Sequence, residues 1–215
     1  DILKEDNRYL CSIINNSGIA LGGPVRYLDI KQFKKQFDVN FFGLIDVTKA
    51  FLPLLGAYKN SYSQGKIINI SSVSGLRSNP FTAPYCASKF ALEAFSDSLR
   101  QELMIYGVDV ILIEPGPFKS DIWDKTPDPE NNEFIGTDYE KSLKKFYKIV
   151  IEFGRNGWDP KIIGDKVLEI LQNQRPSPRN IITPNKFTNY ILSGILPTRI
   201  YDKIITNKLH LKKII

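Results

Sequence analysis

Histidine is nearly missing from this chain: His210 is the only one in 215 residues. Ser-His-Asp hydrolysis and histidine-rich zinc sites therefore lack their parts, and no metal site is expected. No G-x-S-x-G elbow and no phosphate-cradling G-x-x-x-x-G-K occurs either, which removes two more classes of enzyme. Cysteine appears twice, as Cys11 and Cys86. Their spacing offers neither a metal site nor a disulfide framework, so both read as small buried residues of a reducing compartment. No apolar run approaches the roughly 20 residues that a membrane-spanning helix needs. Repeats, low-complexity tracts and linkers are absent as well. The chain reads as one domain, 1–215, whose 42% hydrophobic and 12% aromatic content can fill a single sizeable core.

The formal charge of +6 is concentrated at one end. Residues 186–215 carry Lys186, Arg199, Lys203, Lys208, Lys212 and Lys213 against Asp202 alone. A nucleic-acid binder spreads its phosphate-binding groups over the fold, so a charge this local argues against nucleic acid. The basic tail alternates Ile and Leu with Lys and Arg. It reads as a C-terminal helix pair packed on the domain or on a partner subunit, because Pro197 interrupts any long amphipathic helix. An anionic membrane surface is the alternative. The expected location is cytoplasmic, with a membrane-peripheral protein as the second reading.

What is present is a proton-transfer constellation. Tyr85 and Lys89 stand four apart in a helical pattern, so they point the same way one turn from each other. A free phenol has a pKa of about 10, so ionising it near neutral pH takes roughly 4 kcal/mol. An ammonium a few ångströms away in a partly dry site supplies much of that. Ser72 ends the apolar run Lys66 to Ser71 and offers a hydroxyl to hold the oxygen that the phenol protonates. Such a device acts on a carbonyl or an alcohol.

Other pieces fall around it. Asn15-Asn16-Ser17-Gly18 follows the apolar run from Leu10 to Ile14, Asn40 lies in a helical pattern before Phe41-Phe42-Gly43, and Pro115-Gly116 ends a third apolar run. Tyr85 follows Ser72 by thirteen residues, and Ser120 follows Pro115 by five. In order and spacing these pieces resemble the short-chain dehydrogenase/reductase family, over roughly residues 8 to 185. Ser17 stands where the family usually has Ala, and Ser120 where it often has Thr.

The resemblance implies a nicotinamide cofactor, NAD or NADP, with the choice not readable here. It implies that Tyr85 is the acid/base, that Lys89 lowers its pKa and holds the cofactor ribose, and that Ser72 binds the reacting oxygen. Asn40 is expected to anchor a water linking Lys89 to solvent; a polar helix residue bonding its own backbone or a bulge is the other reading for it. Asn16 and Gly18 are placed under the adenosine half, and Gly116, Phe118 and Ser120 against the nicotinamide. For Gly18 and Gly116 a pure turn requirement explains the residue equally well. The family usually pairs subunits through the long helices that here span 30–55 and 84–106, which implies a homo-oligomer.

One family element is not found. A Gly-rich turn, G-x-x-x-G-x-G, should precede Asn15 and carry the pyrophosphate, and none does; Gly22-Gly23-Pro24 belongs to a later loop. The chain opens at Asp1 and its one Met is Met104. The expectation is a C-terminal fragment short of about 70 residues, two β-α units, and inactive on its own.

Periodicity completes the outline. Strands are expected at 10–15, 66–71, 108–114 and 179–183. A helix over 30–55 carries the stripe Phe33, Phe37, Phe41, Leu44, Val47 and Phe51. A second helix runs from Pro84 to Tyr106, burying Ala87, Phe90, Ala94 and Leu99 or their neighbours, and closes at Gly107. A third is capped at Asp159-Pro160 and buries Ile163, Val167, Ile170 and Leu171. Strand alternating with helix gives an α/β fold with a Rossmann-like, doubly wound parallel sheet, N-terminally incomplete. Segment 117–158 holds Phe118, Trp123, Phe134, Tyr139, Phe146, Tyr147, Phe153 and Trp158. The resemblance makes it a substrate-covering insertion for a lipophilic alcohol or ketone of steroid, retinol or long-chain type; ordinary packing of a helical subdomain accounts for the rings as well. A non-catalytic fragment or binding protein of the same ancestry is the alternative to an enzyme.

Overall fold

The computed structural model describes residues 10–61, 64–184 and 196–213. Four strands, β1 (Ser12–Asn15), β2 (Lys66–Ile70), β3 (Asp109–Pro115) and β4 (Arg179–Ile182), form one sheet in that order. Every pairing is parallel. Strands β2 and β3 are rich in Ile and Val because helices cover both of their faces. One face packs Ile13, Ile67 and Val110 with Leu55, Leu99 and Leu103. The other packs Ile68, Ile111 and Ile113 with Phe118, Ile170 and Ile182.

Helices α1 (Ile30–Phe37) and α2 (Gly43–Phe51) form one rod joined by a single π-helical turn, Asp38–Phe42. Asp29 starts it with a reciprocal cap: its carboxylate accepts the Lys31 N–H at 2.8 Å, and Gln32 Oε1 accepts the Asp29 N–H at 3.1 Å. The buried face of the rod is largely polar. Gln36, Asn40, Leu44 and Thr48 are inside, whereas Val47 and Phe51 of the expected stripe are exposed.

Helix α3 (Ala83–Leu103) carries Pro84 in its first turn and leads through a short 3-10 turn to Gly107, left-handed at φ +69°. Its inward face holds Cys86, Ser88, Lys89, Leu92, Glu93, Ser96, Leu99 and Leu103. Ala87, Phe90 and Ala94 point outward, a correction to the expected face. The expectation put the small and apolar residues inside, but the sheet-facing side is the one that presents polar groups to the strand ends. Cys86 is buried as expected and Cys11 is exposed.

In segment 117–158, helix α4 (Glu140–Arg155) gathers part of the aromatics into one cluster. Phe134, Leu143 and Tyr147 are buried with Phe81, with Tyr139 and Phe146 against them. Helix α5 (Lys161–Gln172) is capped by Asp159, whose carboxylate accepts the Lys161 N–H at 2.8 Å, and buries Ile163, Val167, Ile170 and Leu171 as its period requires. The tail helix α6 (Thr198–Lys208) packs Ile205, Leu209 and Leu211 on the α4 cluster, and the Arg77 guanidinium lies 4.0 Å from the Tyr201 ring centre. The rest of the expected tail pair, residues 185–195, lies outside the described residues. No described helix is long and apolar enough to cross a membrane.

Candidate active site

In a parallel sheet of this kind ligands bind at the carboxyl edge of the strands. Here that edge is formed by Asn15 to Gly18 after β1, Ser71 and Ser72 after β2, and Gly116 after β3. Serine 71 continues the ladder, donating its N–H to the Ile113 carbonyl at 2.8 Å. At Ser72 the chain, extended at φ −169°, breaks into a 3-10 turn, Val73–Gly75. The Ser72 hydroxyl accepts the Ser74 N–H at 3.1 Å, so the turn fixes that oxygen at the strand end.

The first turns of α3 bring Tyr85 and Lys89 to the same place. Tyr85 is partly buried, with the Ser72 hydroxyl close enough to act on its phenol. Burial raises its phenol above the usual value, and the Ser72 hydroxyl pulls the other way. Lys89 is only 6% exposed; its ammonium donates to the Ile70 carbonyl at 2.9 Å and lies 6.0 Å from the Tyr85 ring centre. Burial lowers that amine to about 8, opposed by the negative charge of Glu93. The expected depression of the phenol by the ammonium is therefore not seen: burial dominates the shift, and the Lys89 charge is not among its causes. At neutral pH Tyr85 holds its proton.

Asn40 sits in the π-turn at 1% exposure. Its Oδ1 accepts the Ile19 N–H at 2.8 Å, and its Nδ2 donates to the Ile19 carbonyl at 3.0 Å and to Ser88 Oγ at 3.2 Å. The extra residue of the π-turn turns this amide inward. Gln36 completes the clamp, donating to the Ile19 carbonyl at 2.7 Å and accepting the Leu21 N–H at 2.7 Å. Together they pin the segment that follows the Asn16-Ser17-Gly18 turn. Sequence reasoning missed Gln36, whose one available signal was its place four residues before Asn40.

A second polar chain runs beneath. Asn15 Nδ2 donates to Thr48 Oγ1 at 3.1 Å and to Asn69 Oδ1 at 2.8 Å, and Asn69 Nδ2 donates to Ser96 Oγ at 2.9 Å. It ties β1 and β2 to α2 and α3. None of Thr48, Asn69 or Ser96 stood out in the sequence.

The remaining expected residues divide. Asn16 and Gly18 are exposed at the edge, and a Cβ on Gly18 would meet only Asn40 Oδ1, at 3.6 Å. Nothing inside the protein requires glycine there, so the turn leaves room for a ligand against its backbone. Gly116 differs: a Cβ would fall 2.2 Å from Thr183 Oγ1, so packing requires the glycine. Phe118 turns its ring into the core, edge-on to Trp158 with centres 6.1 Å apart, leaving its backbone nearer the edge. Ser120 is exposed, and its Oγ accepts the Ile122 N–H at 3.1 Å. No group of three or more His, Cys, Asp or Glu side chains suited to a metal ion occurs among the described residues.

The family model for short chain dehydrogenase matches residues 3–131. The chain belongs to the short-chain dehydrogenase family. It is accordingly an oxidoreductase, of a family whose members use NAD or NADP. An NADPH-dependent 3-dehydrocapnine reductase from Ornithobacterium rhinotracheale is 38% identical over 195 residues, which is 91% of this chain and 69% of the relative. A probable short-chain type dehydrogenase/reductase, VdlC, from Helicobacter pylori is 40% identical over 206 residues, 94% of this chain and 71% of the relative. A 3-ketodihydrosphingosine reductase from Bacteroides thetaiotaomicron is 33% identical over 185 residues, 85% of this chain and 66% of the relative. The crystal structure of a short-chain dehydrogenase from Streptomyces avermitilis superposes with TM-score 0.69 at 20% identity, over 100% of this chain and 75% of the other. That likeness fixes the fold, Rossmann-like with a parallel sheet, as expected from the strand-helix alternation.

Proposed function

We propose that this protein reduces the carbonyl of a lipophilic molecule, with Tyr85 as the proton donor, Ser72 holding the carbonyl oxygen and Lys89 resupplying the proton. The carrying observation is that Ser72 and Tyr85 meet at the carboxyl edge of the sheet, where the Ser72 hydroxyl acts on the phenol while burial keeps it protonated. A protonated phenol is a general acid, so it suits reduction better than oxidation. Lys89, near 8, loses and regains a proton readily around neutral pH.

NAD or NADP would supply the hydride. The exposed Asn16-Ser17-Gly18 turn, the Lys89 ammonium and the backbone at Gly116 and Phe118 would hold it. Asn40 acts by fixing that turn. The lipophilic character of the substrate rests on the apolar insertion beside Phe81, together with relatives named as reductases of 3-dehydrocapnine and 3-ketodihydrosphingosine. Pairing of subunits through the α1–α2 rod and α3 fits their outward rings, Phe42 of the π-turn at 52% and Phe90 of α3 at 42% exposure.

The test is turnover of a panel of long-chain ketones by the complete enzyme with each reduced nicotinamide, wild type against Tyr85→Phe. The variant should keep its fold by circular dichroism and lose at least about 100-fold in kcat. Undiminished turnover would overturn the assignment. Absence of turnover in the wild type with either cofactor would favour a binding protein of the same ancestry.

A further inference from the structure

One turn beyond Lys89 on the inward face of α3 stands Glu93, also 6% exposed. Side chains four apart on a helix lie one above the other. A buried carboxylate needs partners for both oxygens. Glu93 Oε2 has one in Arg179, from β4. Oε1 is buried without a hydrogen bond, and so is the neighbouring Ser71 hydroxyl.

The space between these groups is closed. A Cβ built on Gly75 would lie 3.0 Å from Glu93 Cγ, 3.1 Å from the Lys89 carbonyl oxygen and 3.1 Å from Ser71 Oγ. Bulk water therefore does little to screen Lys89 from Glu93. Arg179 does not cancel the carboxylate either, because its one charge is divided among Glu93, Asp97 and Glu114.

Building on the roles assigned above to Tyr85 and Lys89, we propose that Glu93 is a positioning residue for the reduction. Its carboxylate, with one oxygen left unpaired, holds Lys89 as an ammonium beneath the Ser72 turn, without touching the reacting atoms.

The charged and titratable groups around Lys89 make this specific. Its own helix presents Tyr85, Cys86, Glu93 and Asp97; β3 brings Glu114, β4 brings Arg179, and the turn after Ser72 brings Arg77, stacked on Tyr201. Burial pulls the amine down to about 8, and the Glu93 charge is what works against that pull.

The experiment is a titration of the Lys89 side-chain NMR signal in lysine-labelled protein without substrate, assigned by its loss in Lys89→Met. Glu93→Gln keeps the shape and removes the charge. The Lys89 midpoint is expected to fall by about one pH unit in that variant. An unmoved or higher midpoint overturns the proposal. Should Glu93→Gln not fold, Glu93→Asp withdraws the carboxylate by one methylene; a lowered midpoint is expected, and an unchanged or raised one again overturns it. The alkaline limb of kcat/KM should move with the midpoint, and a limb that stays fixed while the midpoint falls overturns the link to the reaction. Because the titration needs no turnover, it stands apart from the outcome for Tyr85→Phe.

Discussion

Asn15 and Asn69 occupy paired positions on adjacent parallel strands, and the amide of one donates to the carbonyl of the other at 2.8 Å in the buried interior. Between them they connect Thr48 of α2 to Ser96 of α3. Buried amides of this kind stabilise a fold only when all partners are present, since each removal orphans a neighbour. Asn69→Ala should cost about 2–3 kcal/mol in denaturant unfolding. The Asn15→Ala and Asn69→Ala effects should be clearly less than additive, because the second truncation removes a group already orphaned. Strict additivity would show that the two amides act independently.

The pH dependence of reduction follows from Lys89. An amine whose pKa is lowered to about 8 is charged below that value and neutral above it. With the proton on Lys89 required to restore Tyr85, kcat/KM should decline above about pH 8, while the raised phenol keeps its own proton to higher pH. A plateau extending well beyond the Lys89 range, measured with substrate far below saturation, would separate Lys89 from proton resupply.

Much of this site was legible in the sequence because its chemistry demands residue types at fixed intervals. Tyr85, Lys89 and Ser72 lie where a helix period and a strand end must put them, and the structure brings all three together. The supporting polar groups were not legible. Gln36, Thr48, Asn69, Ser96 and Glu93 look like surface residues on any hydropathy reading, yet each is buried. The π-turn at Asp38–Phe42 adds a residue that no 3.6-residue period anticipates, so it turns the helix and exposes Val47 and Phe51. In the aromatic insertion the Phe134 and Tyr147 rings lie against Phe81, a contact from outside the segment that its own periodicity does not announce.

Glu114 gives stability a pH dependence of opposite sign to that of most carboxylates. It is fully buried, and burial together with the nearby Glu93 charge raises it to about 7, against the pull of Arg179 and the Asn180 N–H. The folded state thus holds this proton more tightly than the unfolded chain, whose carboxyl has its ordinary value near 4.5. Its contribution is full below about 4.5 and is lost as pH climbs through about 7. Asp97, held below the usual range by Arg179 and Arg100, acts only at lower pH. Thermal melting should therefore show a falling Tm between about pH 5 and 7.5 that flattens in Glu114→Gln. Parallel curves for the two proteins would mean that Glu114 stays ionised in the fold.

Gly116 tests whether a motif glycine serves a ligand or the fold. It does not adopt a left-handed conformation, so a methyl group is not excluded by its backbone angles. The obstacle is Thr183, whose Oγ1 and Cβ lie 2.2 and 2.7 Å from where a Cβ would be. Thr183 immediately follows β4 and is itself buried, so neither side can yield without moving strand β3 or β4. Gly116→Ala should therefore destabilise by about 1–3 kcal/mol even with no ligand present. Adding Thr183→Gly should restore part of that stability, although the same change in the wild type removes a packed side chain and lowers it. A Gly116→Ala protein that melts normally and loses only cofactor affinity would instead assign this glycine to the nicotinamide.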